Sequence, residues 1–375
     1  MKFSKLPTPC YVIDEQCLIK NLEILKSVEI RTGCKILLAQ KAFSAFCVYP
    51  LMSKYLSGTT ASGLYEAKLG YESFGKETHI FSPAYKEKDF DEILKICGHI
   101  IFNSFNQLEK FRPKWENSSV SVGIRLNPEY STQQGHEIYD PCAYGSRLGV
   151  TKANFREDLL GGVEGFHFHT LCEQNSDDLI STFNAVEEKF GKYFYNAKWL
   201  NFGGGHHITR EDYDIEALVK LIDYVQKKYD VQVYLEPGEA AALNAGYLVT
   251  EVMDTVSNGL DILILDASAA CHMPDVLEMP YRPPLRGSGN PNEKKFTYRL
   301  SSCTCLAGDV IGDYSFDNEI KIGDRLVFED MAIYSMVKNN TFNGMPLPAI
   351  VLMHSENDCE IIKEFSYKDF KERLS

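Results

Sequence analysis

The chain of 375 residues has no apolar run long enough to span a membrane, and residues 1–9 do not form the apolar core of a secretory signal peptide. It also has no excess of positive charge, since 39 Lys and Arg residues face 52 Asp and Glu residues and the net charge is −13. This charge argues against nucleic acid or an anionic membrane as a partner and favours cationic ligands. We therefore predict neither a nucleic-acid nor a membrane partner.

The eleven cysteines do not show the pairing that a disulfide framework or a zinc site requires. Their number is odd and they are scattered along the chain. Cys303 and Cys305 have the wrong spacing for a zinc site, and no second pair matches them. Free thiols of this kind are typical of a reducing compartment, so we predict a cytoplasmic protein without a metal site.

The chain does contain a repeated alternation of apolar, strand-like runs and amphipathic, helix-like segments. The predicted strands are residues 36–42, 58–62, 79–83, 99–104, 120–127, 163–170, 198–203 and 231–237. Eight such units are typical of an α/β fold of the (β/α)8 TIM-like barrel kind. An open, doubly wound sheet is the alternative, but the first unit contains no nucleotide-binding fingerprint.

Beyond about residue 241 the pattern changes to β segments separated by Gly, Asn, Asp and Pro. The predicted strands there are residues 247–252, 261–266, 296–302 and 325–328. We predict a barrel over residues 12–240 and a C-terminal, mostly β domain over residues 241–375, joined by the extended residues 1–11. The Pro-rich residues 279–292 are expected to form a long loop, of the kind that often carries function.

Residues with useful chemistry stand at the ends of the predicted barrel strands, where the active sites of such barrels lie. They are Lys41, Arg125, His169, the triplet Gly203, Gly204 and Gly205, and Glu236. A lysine at the end of a buried strand is a candidate for a Schiff base with an aldehyde cofactor. A glycine triplet lets backbone amides approach a phosphate, and a carboxylate can keep a pyridine nitrogen protonated. Taken singly, each residue also has a plainer interpretation as a surface lysine, a core histidine, a tight turn or a turn-capping carboxylate.

Together these motifs resemble the fold-type III pyridoxal-phosphate decarboxylases, the family of ornithine and diaminopimelate decarboxylases related to alanine racemase. The resemblance extends over nearly the whole chain, because residues 305–309 are similar to the family's cysteine motif and residues 331–335 and 341–344 to its tyrosine segment. It implies pyridoxal 5′-phosphate as the cofactor, with Lys41 bound to the aldehyde and Glu236 at the pyridine nitrogen. It further implies that His169 covers one ring face and that the glycines bind the phosphate. Arg125, at the end of a predicted strand, is a further candidate for cofactor contact.

The same resemblance implies a homodimer with shared active sites. Cys305 would face the neighbouring subunit's cofactor and substrate and help to protonate the decarboxylated product, while Tyr334 would help to hold the phosphate or the ring. Glu236 favours decarboxylation over racemisation, because the racemases place an arginine at the ring nitrogen. A barrel that binds the cofactor without turnover, as a regulator, stays open as a function of another class.

Departures from the family pattern indicate the substrate. Glu239 stands where ornithine and diaminopimelate enzymes usually have an arginine, and Cys172 stands where relatives often have a phosphate-binding serine. Residues 266–283 resemble the carboxynorspermidine and carboxyspermidine decarboxylases in particular, whose substrates carry two further positive nitrogens. We therefore predict that Glu239 and Asp275 bind a cationic, carboxylated polyamine by its tail.

The predicted function is thus decarboxylation of carboxynorspermidine or carboxyspermidine, or both, to norspermidine or spermidine in polyamine biosynthesis. Decarboxylation of diaminopimelate stays open, because Arg282 or Arg286 would suit a distal carboxylate. Decarboxylation of ornithine, lysine or arginine also stays open, although these substrates need only one distal anion. The two polyamine substrates differ by one methylene, worth about 1–3 kcal/mol of discrimination, and are not ranked by the sequence.

Overall fold

The computed structural model describes residues 3–133 and 139–375. The chain divides into two compact units, one of residues 21–241 and the other of residues 1–20 together with 242–375. Each unit contains one of the two sheets expected from the sequence.

The first unit is built on a closed barrel of eight parallel strands, as predicted. The strands are β2 (Lys35–Ala39), β3 (Gly58–Ala61), β4 (Glu77–Phe81), β5 (His99–Phe102), β6 (Ser121–Arg125), β7 (Gly165–His167), β8 (Trp199–Asn201) and β9 (Gln232–Leu235). Neighbouring strands pair in this order, and β9 closes the barrel against β2. Every predicted strand overlaps an observed one, but the predicted ranges extend too far at their carboxyl ends. Four of those extra residues, Lys41, Ser62, His169 and Glu236, line a pocket at the carboxyl ends of the strands.

Helices follow most of the barrel strands, as their amphipathic patterns predict. They are α2 (Tyr49–Met52), α3 (Leu64–Ser73), α4 (Glu87–Ile96), α5 (Phe105–Trp115), α6 (Ser176–Phe190), α7 (Ile215–Tyr229) and α8 (Glu239–Ala242), while α1 (Glu15–Thr32) precedes β2. Side-chain caps explain where several of them begin. Asp14 Oδ1 accepts a hydrogen bond from the backbone N–H of Cys17 at 3.1 Å, and Asp214 Oδ1 accepts one from that of Ala217 at 2.9 Å.

The amino-terminal half of the barrel interior is filled by large side chains. The indole of Trp199 lies where Cβ atoms at Gly123 and Gly165 would otherwise stand, 2.2 and 2.0 Å from its ring atoms. Leu37 and Tyr234 pack in the same buried cluster. This end of the barrel is therefore a packed core, and the space for a ligand lies at the carboxyl ends of the strands.

The second unit is built on an eight-stranded mixed sheet. Its strands are β1 (Cys10–Asp14), β10 (Gly246–Ser257), β11 (Asp261–Leu265), β12 (Phe296–Ser302), β13 (Val310–Phe316), β14 (Arg325–Glu329), β15 (Ala349–Ser355) and β16 (Asp358–Lys363). The order is β13-β12-β11-β10-β1-β15-β16, with β14 paired to β10. Four short helices accompany the sheet: α9 (Ala269–His272), α10 (Asp275–Glu278), α11 (Ser335–Lys338) and α12 (Tyr367–Glu372).

The position of β1 explains why the observed boundary differs from the predicted one. This strand pairs antiparallel with β10 and parallel with β15, so it is an interior strand of the sheet. Residues 12–20 consequently belong with the sheet unit, whereas the sequence placed them with the barrel.

Three strands of the sheet unit were not predicted, namely β13, β15 and β16. Gly312 and Asp313 interrupt the apolar pattern of β13, and both residue types are poor strand formers. β16 is a largely exposed edge strand with few apolar residues.

Among the described residues, no helix has both the length and the apolar character needed to cross a bilayer.

Candidate active site

A pocket lies at the carboxyl ends of the barrel strands. It is lined by Ala39, Lys41, Thr60, Ala61, Ser62, Phe81, Arg125, His167, His169 and Glu236. Four residues that the sequence selected for a cofactor site meet here, namely Lys41, Arg125, His169 and Glu236. They come from the ends of four different strands, which is how sites are assembled in this type of barrel.

Lys41 follows β2 by two residues and is exposed to the pocket. Enclosure by the surrounding protein groups lowers the pKa of Lys41, and the positive charge of Arg125 lowers it further, while Glu236 and Glu239 act in the opposite direction. A lower pKa increases the fraction of neutral amine. Neutral amine is the form that attacks a carbonyl carbon, so this lysine suits covalent attachment of an aldehyde.

Glu236 follows β9 directly and is 6% exposed. Its Oε1 accepts a hydrogen bond from Asn201 Nδ2 at 2.7 Å, and its Oε2 lies 3.2 Å from His167 Nε2. Burial by itself raises the pKa of a carboxyl group, but His167 and Asn201 outweigh it and lower the pKa of Glu236. Burial lowers the pKa of His167, so a neutral imidazole donates to an ionised carboxylate.

The ring of His169 is oriented by the backbone. The N–H of Gly204 donates to His169 Nδ1 at 2.8 Å, which leaves the proton of the neutral ring on Nε2. Burial lowers the pKa of His169 well below its ordinary value, and the charges of Lys41 and Arg125 lower it further. His169 is therefore a neutral ring of fixed orientation beside Lys41, suited to stacking against a flat ligand.

Arg125 ends β6 and is buried. Its Nη2 donates to the backbone oxygen of His169 at 3.2 Å, and its guanidinium carbon lies 4.6 Å from the ring centroid of Phe81. Burial lowers the pKa of Arg125 to about 10, so the side chain is still a cation at neutral pH. It contributes positive charge to the pocket and supports the backbone at His169.

The glycine triplet is required by close packing. Gly203 and Gly205 have φ angles of 69° and 83°, a region that favours glycine. A Cβ at Gly204 would lie 2.4 Å from the carbonyl oxygen of Glu236, and one at Gly205 would lie 2.0 Å from that of Leu171. The glycines therefore let this loop pack directly against the backbone of Glu236 and Leu171 at the carboxyl end of the barrel.

Two of the three glycine amides are used inside the protein. The N–H of Gly203 donates to Asn201 Oδ1 at 2.8 Å, and that of Gly204 donates to His169 Nδ1. An anion at this loop would therefore be bound by amides from Gly205 onwards. The sequence suggested phosphate binding by the triplet as a whole, whereas the geometry gives the first two glycines an internal role.

Replacing Gly205 with alanine is expected to destabilise the protein by about 1–3 kcal/mol and to weaken cofactor binding, because the new Cβ collides with Leu171 and the positive φ disfavours alanine. Thermal unfolding and titration with pyridoxal 5′-phosphate measure the two effects. Gly161→Ala is the matched control, since a Cβ there has nothing within 4 Å. Equal stability of the two variants would contradict the steric account.

Glu239 opens the short helix α8 and is only partly exposed. Its Oε2 lies 3.4 Å from His207 Nε2. Burial raises the pKa of Cys172 to about 12, and the charge of Glu239 acts in the same direction, so the Cys172 thiol is neutral. Among the predicted substrate contacts, Glu239 thus belongs to the barrel unit that carries Lys41.

The other predicted site residues belong to the sheet unit. Cys305 is exposed, and its backbone N–H donates to Asn343 Oδ1 at 2.7 Å. Tyr334 has a φ of 56°, an unusual backbone conformation for a tyrosine. Asp275 forms an ion pair with Lys338, which was not anticipated from the sequence. Part of the negative charge of Asp275 is therefore balanced within its own unit.

Two further residues of the pocket region were not selected from the sequence. Asn201 and His167 hold the two carboxylate oxygens of Glu236. Both stand beside residues that were selected, since Asn201 precedes the glycine triplet and His167 alternates with His169. Their positions beside these residues are a weak signal in the sequence, because the role of both depends on Glu236, which follows another strand.

Comparisons with known proteins agree with this architecture. Residues 10–332 match the family described as "Pyridoxal-dependent decarboxylase, C-terminal sheet domain". A carboxynorspermidine/carboxyspermidine decarboxylase of Campylobacter jejuni is 44% identical, with 100% of each chain covered. A carboxyaminopropylagmatine decarboxylase of Synechocystis is 40% identical, with 100% of this chain and 97% of the relative covered.

Solved structures show the same relationship. The crystal structure of carboxynorspermidine decarboxylase from Campylobacter jejuni, complexed with norspermidine, matches with a TM-score of 0.92 at 43% identity, covering 98% of this chain and 100% of the other. A diaminopimelate decarboxylase from Helicobacter pylori, complexed with L-lysine, reaches 0.83 at 17% identity, covering 100% and 99% of the two chains. This second likeness concerns the fold alone. Because the family match spans most of the chain and the similar relatives align along its full length, the protein belongs to the pyridoxal-dependent decarboxylases.

Proposed function

We propose that the protein decarboxylates carboxynorspermidine, carboxyspermidine or both, with pyridoxal 5′-phosphate as cofactor, in the biosynthesis of polyamines. The convergence of Lys41, His169 and Glu236 in one pocket supports the chemistry. The relative with 44% identity over the full chain supports the substrate class.

The pocket has groups suited to the three functional parts of the cofactor. An aldehyde needs an amine, and Lys41 supplies one with a lowered pKa. A pyridine nitrogen needs an ionised partner, and Glu236 is a carboxylate with a lowered pKa. A phosphate needs close approach to backbone, and Gly205 lies on a loop that excludes any Cβ. This donor set fits pyridoxal 5′-phosphate.

When bound, the cofactor supplies a sink for the electron pair that departing CO2 leaves behind. Lys41 would hold the cofactor by its aldehyde, through the side-chain amine. Glu236 would face the pyridine nitrogen and keep a proton there. His169 would cover one face of the pyridine ring in the orientation that Gly204 imposes.

We further propose that Cys305 and Tyr334 act at the site of the partner subunit in a homodimer. The family resemblance supports this arrangement, and the exposure of Cys305 is compatible with a thiol that acts outside its own unit. Cys305 would deliver the proton that the decarboxylated carbon needs, while Tyr334 would support the phosphate or the ring. The protein is proposed to work in the cytoplasm, as free thiols suggest.

Glu239 and Asp275 are the proposed contacts of the cationic substrate tail. Lys338 contacts Asp275 and also lies 3.0 Å from Glu278. A substrate ammonium that reached Asp275 would compete with the ammonium of Lys338. Asp275 and Glu278 are two carboxylates against the single ammonium of Lys338, so this cluster retains a net negative charge that can attract a cationic ligand.

Carboxyaminopropylagmatine is the second candidate substrate, because the relative of that name is nearly as similar, at 40% identity. Its tail ends in a guanidinium group instead of an ammonium group. Both tails are cationic, so acidic contacts alone do not separate them. The planar guanidinium binds a carboxylate with two parallel hydrogen bonds, whereas an ammonium acts as a point charge.

We expect CO2 release to be faster with carboxynorspermidine and carboxyspermidine than with carboxyaminopropylagmatine, meso-diaminopimelate or ornithine. Glu239→Gln should raise KM for the polyamine substrates roughly fivefold or more, the effect of losing about 1 kcal/mol of ion pairing, with a smaller change in kcat. The control is Glu211→Gln, at an exposed carboxylate of the same unit. Preference for diaminopimelate would contradict the proposed substrate, and an unchanged KM would contradict the role of Glu239.

A further inference from the structure

Three buried hydrogen bonds form a closed ring between the ends of β8 and β9. Asn201 Nδ2 donates to Glu236 Oε1 at 2.7 Å, and the N–H of Gly203 donates to Asn201 Oδ1 at 2.8 Å. The backbone N–H of Glu236 donates to the carbonyl oxygen of Gly203 at 2.7 Å and closes the ring. Asn201 is 0% exposed, so water does not compete for either end of its amide.

The direction of each bond in the ring is determined by its partners. A backbone N–H can only donate, so the oxygen of the Asn201 amide must face Gly203. The nitrogen must then face Glu236, and it donates to a carboxylate that can only accept. An aspartate would have the same shape, but it would place one carboxylate oxygen against another at about this distance. With a glutamate at position 236, the amide of Asn201 matches both of its partners.

The ring of hydrogen bonds connects the groups proposed for the two ends of the cofactor. Gly203 begins the phosphate loop, which we define as residues 203–205, and Glu236 is the proposed partner of the pyridine nitrogen. The same loop also orients His169 through the N–H of Gly204. Asn201 is the side chain that links this loop to the carboxylate of Glu236.

We propose, on the basis of the function proposed above, that Asn201 is a positioning residue that holds the phosphate loop and the Glu236 carboxylate at a fixed separation. The aromatic ring of the cofactor limits the distance between its phosphate arm and its nitrogen, because both are attached to that ring. If the phosphate loop and the Glu236 carboxylate are already at the correct separation, they lose no conformational freedom when the cofactor binds. Asn201 thus raises cofactor affinity without needing to contact the cofactor.

Asn201→Asp tests this role by removing one donor and adding repulsion with almost no change in shape. We expect the affinity for pyridoxal 5′-phosphate, measured by absorbance titration of the apoprotein, to fall at least tenfold. Asn127→Asp is the matched control, because Asn127 is also buried and its amide is held by Leu148 and Glu129 at 3.1 and 2.8 Å. The control should lower the melting temperature while leaving cofactor affinity within about twofold of wild type.

A double variant separates positioning from simple loss of stability. In Asn201→Asp combined with Glu236→Gln, the new glutamine amide can donate to the new aspartate, and its oxygen can still accept from His167 Nε2. The ring of hydrogen bonds is then restored with donor and acceptor exchanged. Cofactor affinity should rise about threefold or more above that of Asn201→Asp, because the hydrogen bonds return although the Glu236 charge does not, while kcat stays as low as in Glu236→Gln alone.

Two results would overturn the inference. One is wild-type cofactor affinity in Asn201→Asp, and the other is a double variant that binds no better than Asn201→Asp. Neither readout requires the correct substrate. A wild-type protein that binds the cofactor but does not decarboxylate a polyamine would contradict the proposed function alone, and the titrations would still decide the role of Asn201.

Discussion

Lys41→Ala is expected to lower kcat by about 10³-fold or more and to abolish covalent attachment of pyridoxal 5′-phosphate. Enclosure in the pocket and the charge of Arg125 lower the pKa of the Lys41 amine. Lys41 lines the same pocket as His169 and Glu236. No other lysine lines this pocket within the described residues. Borohydride reduction followed by peptide mass spectrometry should locate the cofactor at residue 41 in the wild type and nowhere in the variant.

Two further variants distinguish loss of the amine from loss of charge. Lys41→Arg keeps a positive charge, but a guanidinium stays protonated and does not attack an aldehyde, so this variant should be as inactive as Lys41→Ala. Lys54→Ala removes an exposed lysine of the same unit and should retain wild-type kcat. Turnover by Lys41→Ala at more than a few per cent of the wild-type rate would refute the assignment.

Glu236→Gln should lower kcat by about 10²–10³-fold while changing KM much less. The glutamine has the same shape and can still bond to Asn201 or His167, so the pocket should stay intact. What is lost is the negative charge that keeps a proton on the ring nitrogen. Without it the ring is a weaker electron sink, and the barrier to CO2 loss rises.

Steady-state kinetics together with the cofactor content of the purified protein test this expectation. Glu29→Gln is the matched control, because Glu29 is a buried carboxylate that accepts hydrogen bonds from Ile36 N and Ser57 Oγ at 2.8 and 2.7 Å and is not among the lining residues of the pocket. The control should lose stability but keep kcat per bound cofactor. If Glu236→Gln retained wild-type kcat with full cofactor content, the proposed role of the carboxylate would be wrong.

Local patterns were sufficient to predict the barrel. Most barrel strands are short, largely apolar runs, and the long helices repeat their apolar residues at helical spacing, so the order of neighbouring residues is enough to predict these elements. The candidate residues at the strand ends followed from the general position of sites in this fold. β13 was not predicted because its glycine and aspartate interrupt the apolar pattern of a strand. The strand forms because it pairs with its neighbour β12.

The remaining features depend on partners that are distant in the sequence. Asn201 pairs with Glu236 across two strands, and Asp275 pairs with Lys338, 63 residues away. The assignment of residues 12–20 depends on pairing of β1 with β10 and β15. A local pattern contains no record of such pairings, so only the three-dimensional arrangement reveals them.

The tryptophan in the barrel has an optical consequence. Trp199 is 3% exposed, and it precedes Asn201 by two residues on one strand, a span of about 7 Å. Its indole emission therefore originates close to the groups proposed to hold the pyridine ring. A bound chromophore at that distance would accept the excitation energy and quench the emission. The protein thus contains its own fluorescent reporter of cofactor loading, with Trp115 as the second emitter in the chain.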